Sequence, residues 1–307
     1  MLRLHLFGVV SFSVDGGSAA SVSTHVRGRP GCLLAYLALA RGRYFSRGEL
    51  VSVLWPDQPD SVGIGTFNTV LWRLRKLVER PPLAHGSLID CDRRGALGLH
   101  LKAPVELDVE AFAQHVLPAL AKPLERMTEA DVDALRGGIE LYTADILTDV
   151  GEEWALRERE KHRRHYLNAL GRMMQMCTIA RDHSSAIRYA QAILDHDALR
   201  EDVHRELMRL FLHSGQRALA LRQFELCRAA LKRELAIQPM PETVALYRGI
   251  AHDAVSVDGG FATTGTLAVP ILPIQAGDGI TARELVESAR QYLARADAQL
   301  QLSLPFL

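Results

Sequence analysis

The chain has 307 residues, of which 48% are hydrophobic and 23% charged, values typical of a folded protein with about two domains. It has no apolar run long enough for a membrane helix, and its N-terminus lacks the cationic start and cleavage site of a secretory signal. The net charge is zero, but residues 1–103 hold thirteen basic against seven acidic residues, so this part is +6 and the remainder −6. Such asymmetry favours contact between the basic part and nucleic acid.

The first predicted elements are a small sheet and two helices. Residues 2–26 alternate apolar and polar side chains, which predicts short strands. A mostly buried helix follows Pro30 and stops near Gly42. Ser46 and Glu49 then have the spacing of a capping box, in which each side chain bonds a free amide at the start of a second helix.

The third predicted helix covers residues 65–77, GTFNTVLWRLRKL, with Asp60 or Ser61 as its N-cap. Its apolar face is formed by Phe67, Val70, Leu71, Leu74 and Leu77. A polar, basic face like the opposite one is usually plain solvated surface, but here the charge asymmetry favours a face that lies in a DNA groove. The predicted DNA-contacting residues on it are Thr66, Asn68, Thr69, Trp72, Arg73, Arg75 and Lys76.

Residues 87–101 consist of two alternating runs around Arg93-Arg94-Gly95, which predicts a hairpin with a cationic tip. A sheet, three helices and a hairpin form the layout of a winged helix-turn-helix. In that layout the third helix enters the major groove and the hairpin is the wing. We therefore add Arg93 and Arg94 to the predicted DNA-binding residues, as contacts to phosphate or the minor groove.

From about residue 108 the chain is predicted to be almost entirely helical, and it contains an internal repeat. Six positions align with six others at an offset of 34 residues, the period of a tetratricopeptide helix pair. The small residues Ala186 and Ala220 fall where paired helices approach closely. The aligned sets are Met173, Met176, Cys177, Ala180, Ala186 and Ile187 with Leu207, Leu210, Phe211, Ser214, Ala220 and Leu221.

The C-terminal part has a different composition. Residues 254–280 are rich in Gly, Thr and Pro without a period, which indicates a linker or extended arm. Residues 281–302 then open with a capping box of Thr281 and Glu284 and carry one apolar stripe. We expect this C-terminal helix, within residues 281–307, to dock on the repeats or on another subunit.

Two blocks of sequence resemble the SARP family (Streptomyces antibiotic regulatory protein-type activators). The first is ELVSVLWPDQP, followed after a gap by LWRLRKLV and a charged hairpin, and it is similar to a winged helix. The second covers residues 205–250 and is similar to the bacterial transcriptional activation domain, a tetratricopeptide-like module. The resemblance extends over roughly residues 1–253 and implies a DNA-binding domain at 1–103 and an activation domain at 104–253.

The resemblance implies a sequence-specific transcription activator that binds direct repeats in double-stranded DNA, associates with itself there and helps to recruit RNA polymerase. The scattered cysteines indicate a cytoplasmic protein. Two other classes stay open: a helical-repeat scaffold that binds a protein, and a ligand-gated regulator whose repeats hold a small-molecule effector. No membrane contact is expected. The fold class predicted is mainly α with a small β component.

An enzyme is not expected. Gly63-x-Gly65 is only a fragment of a dinucleotide fingerprint and follows a loop instead of a strand. His162 and His165 lack the i, i+4 spacing and third ligand of a common metal pair. The four cysteines form no CxxC pair and indicate buried thiols. We therefore predict no catalytic residues, no cofactor and no metal.

Overall fold

The computed structural model of the protein describes residues 2–14, 23–57, 63–80, 83–84, 86–252 and 281–303. The strands found there are β1 (Leu2–His5), β2 (Ser11–Val14), β3 (Thr24–His25), β4 (Tyr44–Phe45), β5 (Ile89–Cys91), β6 (Leu97–Leu99) and β7 (Val105–Leu107). The α-helices are α1 (Gly28–Leu39), α2 (Arg47–Leu54), α3 (Ile64–Val78), α4 (Asp108–Leu120), α5 (Glu129–Leu141), α6 (Glu153–Ile179), α7 (His183–His196), α8 (Glu201–His213), α9 (Arg217–Leu235), α10 (Pro241–His252) and α11 (Ala282–Ser303).

The chain divides into two compact units. The first unit is Met1–Pro118 with Arg136–Tyr166, and the second is Ala119–Leu135 with Leu167–Leu307. The architecture confirms the predicted fold class, which is mainly α with a small β component and combines a winged helix-turn-helix with a tetratricopeptide-like helical part.

The first unit contains a four-stranded sheet in the order β3-β2-β1-β7. The predicted N-terminal strands pair antiparallel, Leu4 with Phe12 for example. Strand β1 buries alternate side chains, whereas Ser11, Phe12 and Ser13 of β2 are all buried. The strand β7 was not predicted. It pairs in parallel with β1, Leu4 beside Leu107, although about a hundred residues separate the two strands in the chain.

Three helices and a second sheet form the winged helix-turn-helix. The capping box is confirmed, since Ser46 Oγ accepts from Glu49 N and Glu49 Oε2 accepts from Ser46 N at 2.7 Å. The N-cap prediction for α3 is wrong. Gly63 occupies that position with extended backbone and no side-chain cap, while Asp60 and Ser61 lie outside the described residues.

A segment late in the first unit packs against the loop that follows β1. Leu147 N donates to Leu6 O and Thr148 N donates to Gly8 O, both at 2.9 Å. From the start of α4, Asp108 accepts from the amides of Leu6 and Phe7. Burial raises the pKa of Asp108 above its usual value, although the backbone amides oppose that shift. The winged helix is therefore packed together with Leu147 and Thr148, which follow its end at residue 103 by more than forty positions.

The predicted repeat of 34 residues is confirmed in the second unit, where the turns of both copies also share the same backbone hydrogen bond. Asp182 N donates to Cys177 O at 2.9 Å, and the equivalent Gln216 N donates to Phe211 O at 2.7 Å. The residue before each donor has a left-handed backbone, φ 60° at Arg181 and φ 71° at Gly215. The small residues predicted at the close approaches, Ala186 and Ala220, are both 0% exposed.

The start of helix α11 is docked in the second unit. It contacts the short 3-10 helix Leu124–Arg126, and Leu285, Val286 and Ala289 are buried. The capping box of Thr281 and Glu284 is present. The predicted linker at 254–280 lies outside the described residues. Within the described ranges no helix is both long and apolar enough to cross a membrane.

Candidate nucleic-acid interface

The third helix presents two different faces. Phe67 and Leu74 are fully buried, and Leu71 is nearly so, which fixes α3 against the other helices of the first unit. The side chains on the opposite face are in solvent, and the helix contains no acidic residue. Of the predicted contacts, the structure brings together on this exposed face Thr66, Asn68, Thr69, Trp72, Arg73 and Lys76.

Trp72 is the most exposed of the three tryptophans, with 59% of its surface in solvent. The Lys76 ammonium lies 4.8 Å from the centre of its ring, a cation–π contact one turn along the helix. Thr69 uses its hydroxyl locally, since Oγ1 donates to Gly65 O at 2.9 Å. An aromatic ring and a cation are thus presented side by side on a surface of cationic and neutral polar groups.

Arg75 stands apart from the exposed set. Its side chain is half-buried, and Nη2 donates to the carbonyl of Ile89 in β5 at 3.0 Å. One turn later, Glu79 Oε1 accepts from the amides of Leu88 and Ile89. These two side chains tie the third helix to the first strand of the hairpin and so fix the wing relative to α3. Helical spacing placed Arg75 on the polar face but gave no sign of its partner.

The hairpin tip is a turn closed by hydrogen bonds to one side chain. Asp92 accepts at Oδ1 from the amides of Arg94 and Ala96, at 2.9 and 2.8 Å, and Gly95 has φ 82°. Arg93 and Arg94 are both exposed there. The predicted cationic wing tip is confirmed as a structural feature, and a third strand that was not predicted, β4, completes its sheet.

Among the histidines and cysteines considered above, His162 and Cys32 are both buried. No group of three or more His, Cys, Asp and Glu side chains is arranged there to hold a metal. His162 is buried against Phe7 and Phe112, and burial lowers its pKa. Burial and the neighbouring Glu152 raise the pKa of Cys32 to about 12, which keeps it a thiol.

The fold and the exposed helix face define a winged helix-turn-helix protein with a tetratricopeptide-like second part. Residues 107–251 match the model of the bacterial transcriptional activator domain. The chain is also similar to two proteins of Streptomyces coelicolor, regulatory protein AfsR and transcriptional regulator RedD. The predicted resemblance to the SARP family is thereby confirmed: the chain contains this domain, and both relatives are SARP-family transcriptional regulators.

The extent of these similarities differs. AfsR is 28% identical over 276 residues, which cover 89% of this chain and 27% of AfsR. RedD is 26% identical over 248 residues, which cover 78% of this chain and 67% of RedD. The chain therefore spans about a quarter of the length of AfsR. The structure of Mycobacterium tuberculosis EmbR in complex with a low affinity phosphopeptide shares the fold, with a TM-score of 0.65 and 16% identity over 98% of this chain and 71% of EmbR.

Proposed function

We propose that the chain is a cytoplasmic, sequence-specific DNA-binding transcription regulator that acts as an activator. The observation that carries this proposal is the exposed face of α3, which holds cations and no acidic residue next to a wing with two more arginines. Phosphate groups attract such a surface whatever the sequence, and polar side chains within it can contact base edges. The similarity to SARP-family regulators supports the same class.

Within this interface the exposed residues have different roles. Arg73 and Asn68 contact base edges in the major groove, because both side chains lie in solvent on the polar face of α3. Arg93 and Arg94 contact phosphate or the minor groove from the wing tip. Arg75 acts by positioning the wing through Ile89 rather than by contacting DNA.

The activator domain, which matches residues 107–251, contacts RNA polymerase, and protomers bind side by side on direct repeats. A scaffold or an effector-binding role for the helical part is the alternative. The second unit contains a cavity of about 400 Å³ near Leu212, Leu246 and Ile250, to which a small molecule or peptide could bind. Transcription with purified RNA polymerase from a bound promoter separates these roles, because a scaffold would leave transcript levels unchanged.

The test of DNA recognition is binding of the full chain to an operator selected from random duplexes and to its single-base variants. Arg73→Ala should weaken the free energy of binding to the operator by about 1–3 kcal/mol and relax the sequence preference at one base position. Arg94→Ala should weaken binding to all sequences alike and reduce the slope of the logarithm of the binding constant against the logarithm of salt concentration by about one. Arg157→Ala is the matched control, since this arginine is 73% exposed and belongs to the first unit outside α3 and the wing. If Arg94→Ala alone lost the sequence preference, these two roles would be reversed.

A further inference from the structure

A cleft in the first unit lies between α3 and the segment that precedes α1. Its volume is about 330 Å³, and its cationic side chains are Arg27 from that segment and Arg73, Lys76 and Arg80 from α3 and the turn after it. Of these residues, Arg27 and Arg80 belong to no motif found in the sequence. The cleft brings them beside the exposed face of the third helix.

Within the part of the chain that the structure describes, no carboxylate compensates the positive charge of the cleft. Among the described residues, its lining contains no Asp or Glu, and all four cationic side chains are exposed. Among the carboxylates of the described ranges, none forms an ion pair with any of the four. Four like charges at one cleft repel each other unless an anion or counterions lie between them. The cleft is therefore suited to a ligand with concentrated negative charge.

The walls of the cleft are held in place by local contacts. A Cβ at Gly31 would collide with the carbonyl oxygen of Val26, so the segment that carries Arg27 packs directly onto α1. Arg80 Nε donates to Lys76 O at 3.0 Å, which holds its guanidinium next to the last turn of α3. The floor is apolar, with Val26 buried and Leu77 half-buried. A cationic rim above an apolar floor matches a phosphodiester attached to its sugar better than a free inorganic anion.

We propose that this cleft binds a backbone phosphate of the DNA, with Arg27 and Arg80 as its principal contacts. The inference rests on the proposed function, because it requires that α3 lies against a duplex. A phosphate held here, on the same side of α3 as Trp72, would set the register in which Arg73 meets the bases. Arg27 and Arg80 would thus position the helix on the DNA without contributing to sequence preference.

The first test measures binding of the full chain to a fluorescein-labelled duplex at several salt concentrations. Arg27→Gln and Arg80→Gln should each reduce the salt slope by about one and weaken binding about eightfold at 0.1 M salt, equally for all sequences. Arg157→Gln, which removes the same charge outside the cleft, should bind as the wild type does. Both cleft residues are exposed, so thermal melts of the two variants should match the wild-type melt.

The second test uses Trp72 as a local reporter. Duplex DNA should reduce acrylamide quenching of tryptophan fluorescence in the wild type but not in Trp72→Phe, because Trp55 and Trp154 are already largely covered. Inorganic phosphate alone at the same phosphate concentration should give no protection. Full protection by inorganic phosphate would identify a small-anion site instead and overturn the assignment to DNA.

The outcomes separate the two proposals. If the wild type bound no duplex at any salt concentration, the proposed function and this inference would both fail. If the wild type bound with a preference that depends on Arg73, while Arg27→Gln and Arg80→Gln kept its salt slope, only the cleft assignment would be refuted.

Discussion

A DNA-binding fragment of this protein should need residues far beyond the winged helix itself. The first unit continues past residue 103 and buries apolar side chains from its later segments. Five of them, each less than 5% exposed, are Val105, Leu107, Phe112, Ile146 and Leu147. Burial of each such side chain contributes about 1.5–3 kcal/mol, so the five together contribute on the order of 10 kcal/mol.

That sum is comparable with the whole stability of a domain, which is about 5–15 kcal/mol. A fragment that ends at residue 103 also lacks β7, and it loses the hydrogen bonds from Leu147 and Thr148 to the loop after β1. We therefore expect the fragment 1–103 to be unfolded and the fragment 1–166 to fold.

Circular dichroism melts and gel shifts of both fragments, with the full chain as reference, provide the assay. The fragment 1–166 should melt cooperatively and retain the salt-dependent DNA binding of the full chain. A cooperative melt and undiminished DNA binding by the fragment 1–103 would refute the reasoning, since the later residues would then be dispensable.

Three further predictions concern the second unit. In the repeat turns, Arg181 and Gly215 both have a left-handed backbone, which glycine adopts more easily than other residues. Gly215→Ala should therefore lower the free energy of unfolding by about 1 kcal/mol, whereas Arg181→Gly should not lower it. Chemical denaturation measures both free energies, and equal losses in the two variants would contradict the assignment. Burial lowers the pKa of His204, so the unfolded state binds more protons and stability should fall as pH drops below about 6.5. Thermal melts across this range should show a smaller dependence of stability on pH in His204→Gln. An unchanged pH dependence would exclude His204 as its cause. On α11, Leu285→Ala should speed hydrogen exchange of residues 282–290 whereas Tyr292→Ala should not, because Leu285 is 0% and Tyr292 55% exposed; equal exchange in both variants would argue against docking.

Much of this architecture was predictable because it is encoded at short range. The two faces of α3 follow from helical periodicity, and the caps at Ser46 and Thr281 follow from a spacing of three residues. The hairpin tip at Arg93 and Arg94 follows from the turn residues around it. The helix pairs follow from a 34-residue repeat that extends to the turn hydrogen bonds. Each of these signals relates residues of one element or one repeating unit, so the chain carries them without reference to distant segments.

The tertiary structure decided which distant segments meet. No turn connects β1 directly to β7, so the sequence carries no local signal for their parallel pairing. The same holds for the hydrogen bond between Leu6 and Leu147. Arg75 belongs to the basic face by spacing, yet its partner is the Ile89 carbonyl. The cleft that contains Arg27 exists only because the segment before α1 lies beside the end of α3. Charge and periodicity determine what a side chain can do, whereas its partner depends on contacts between segments far apart in the chain.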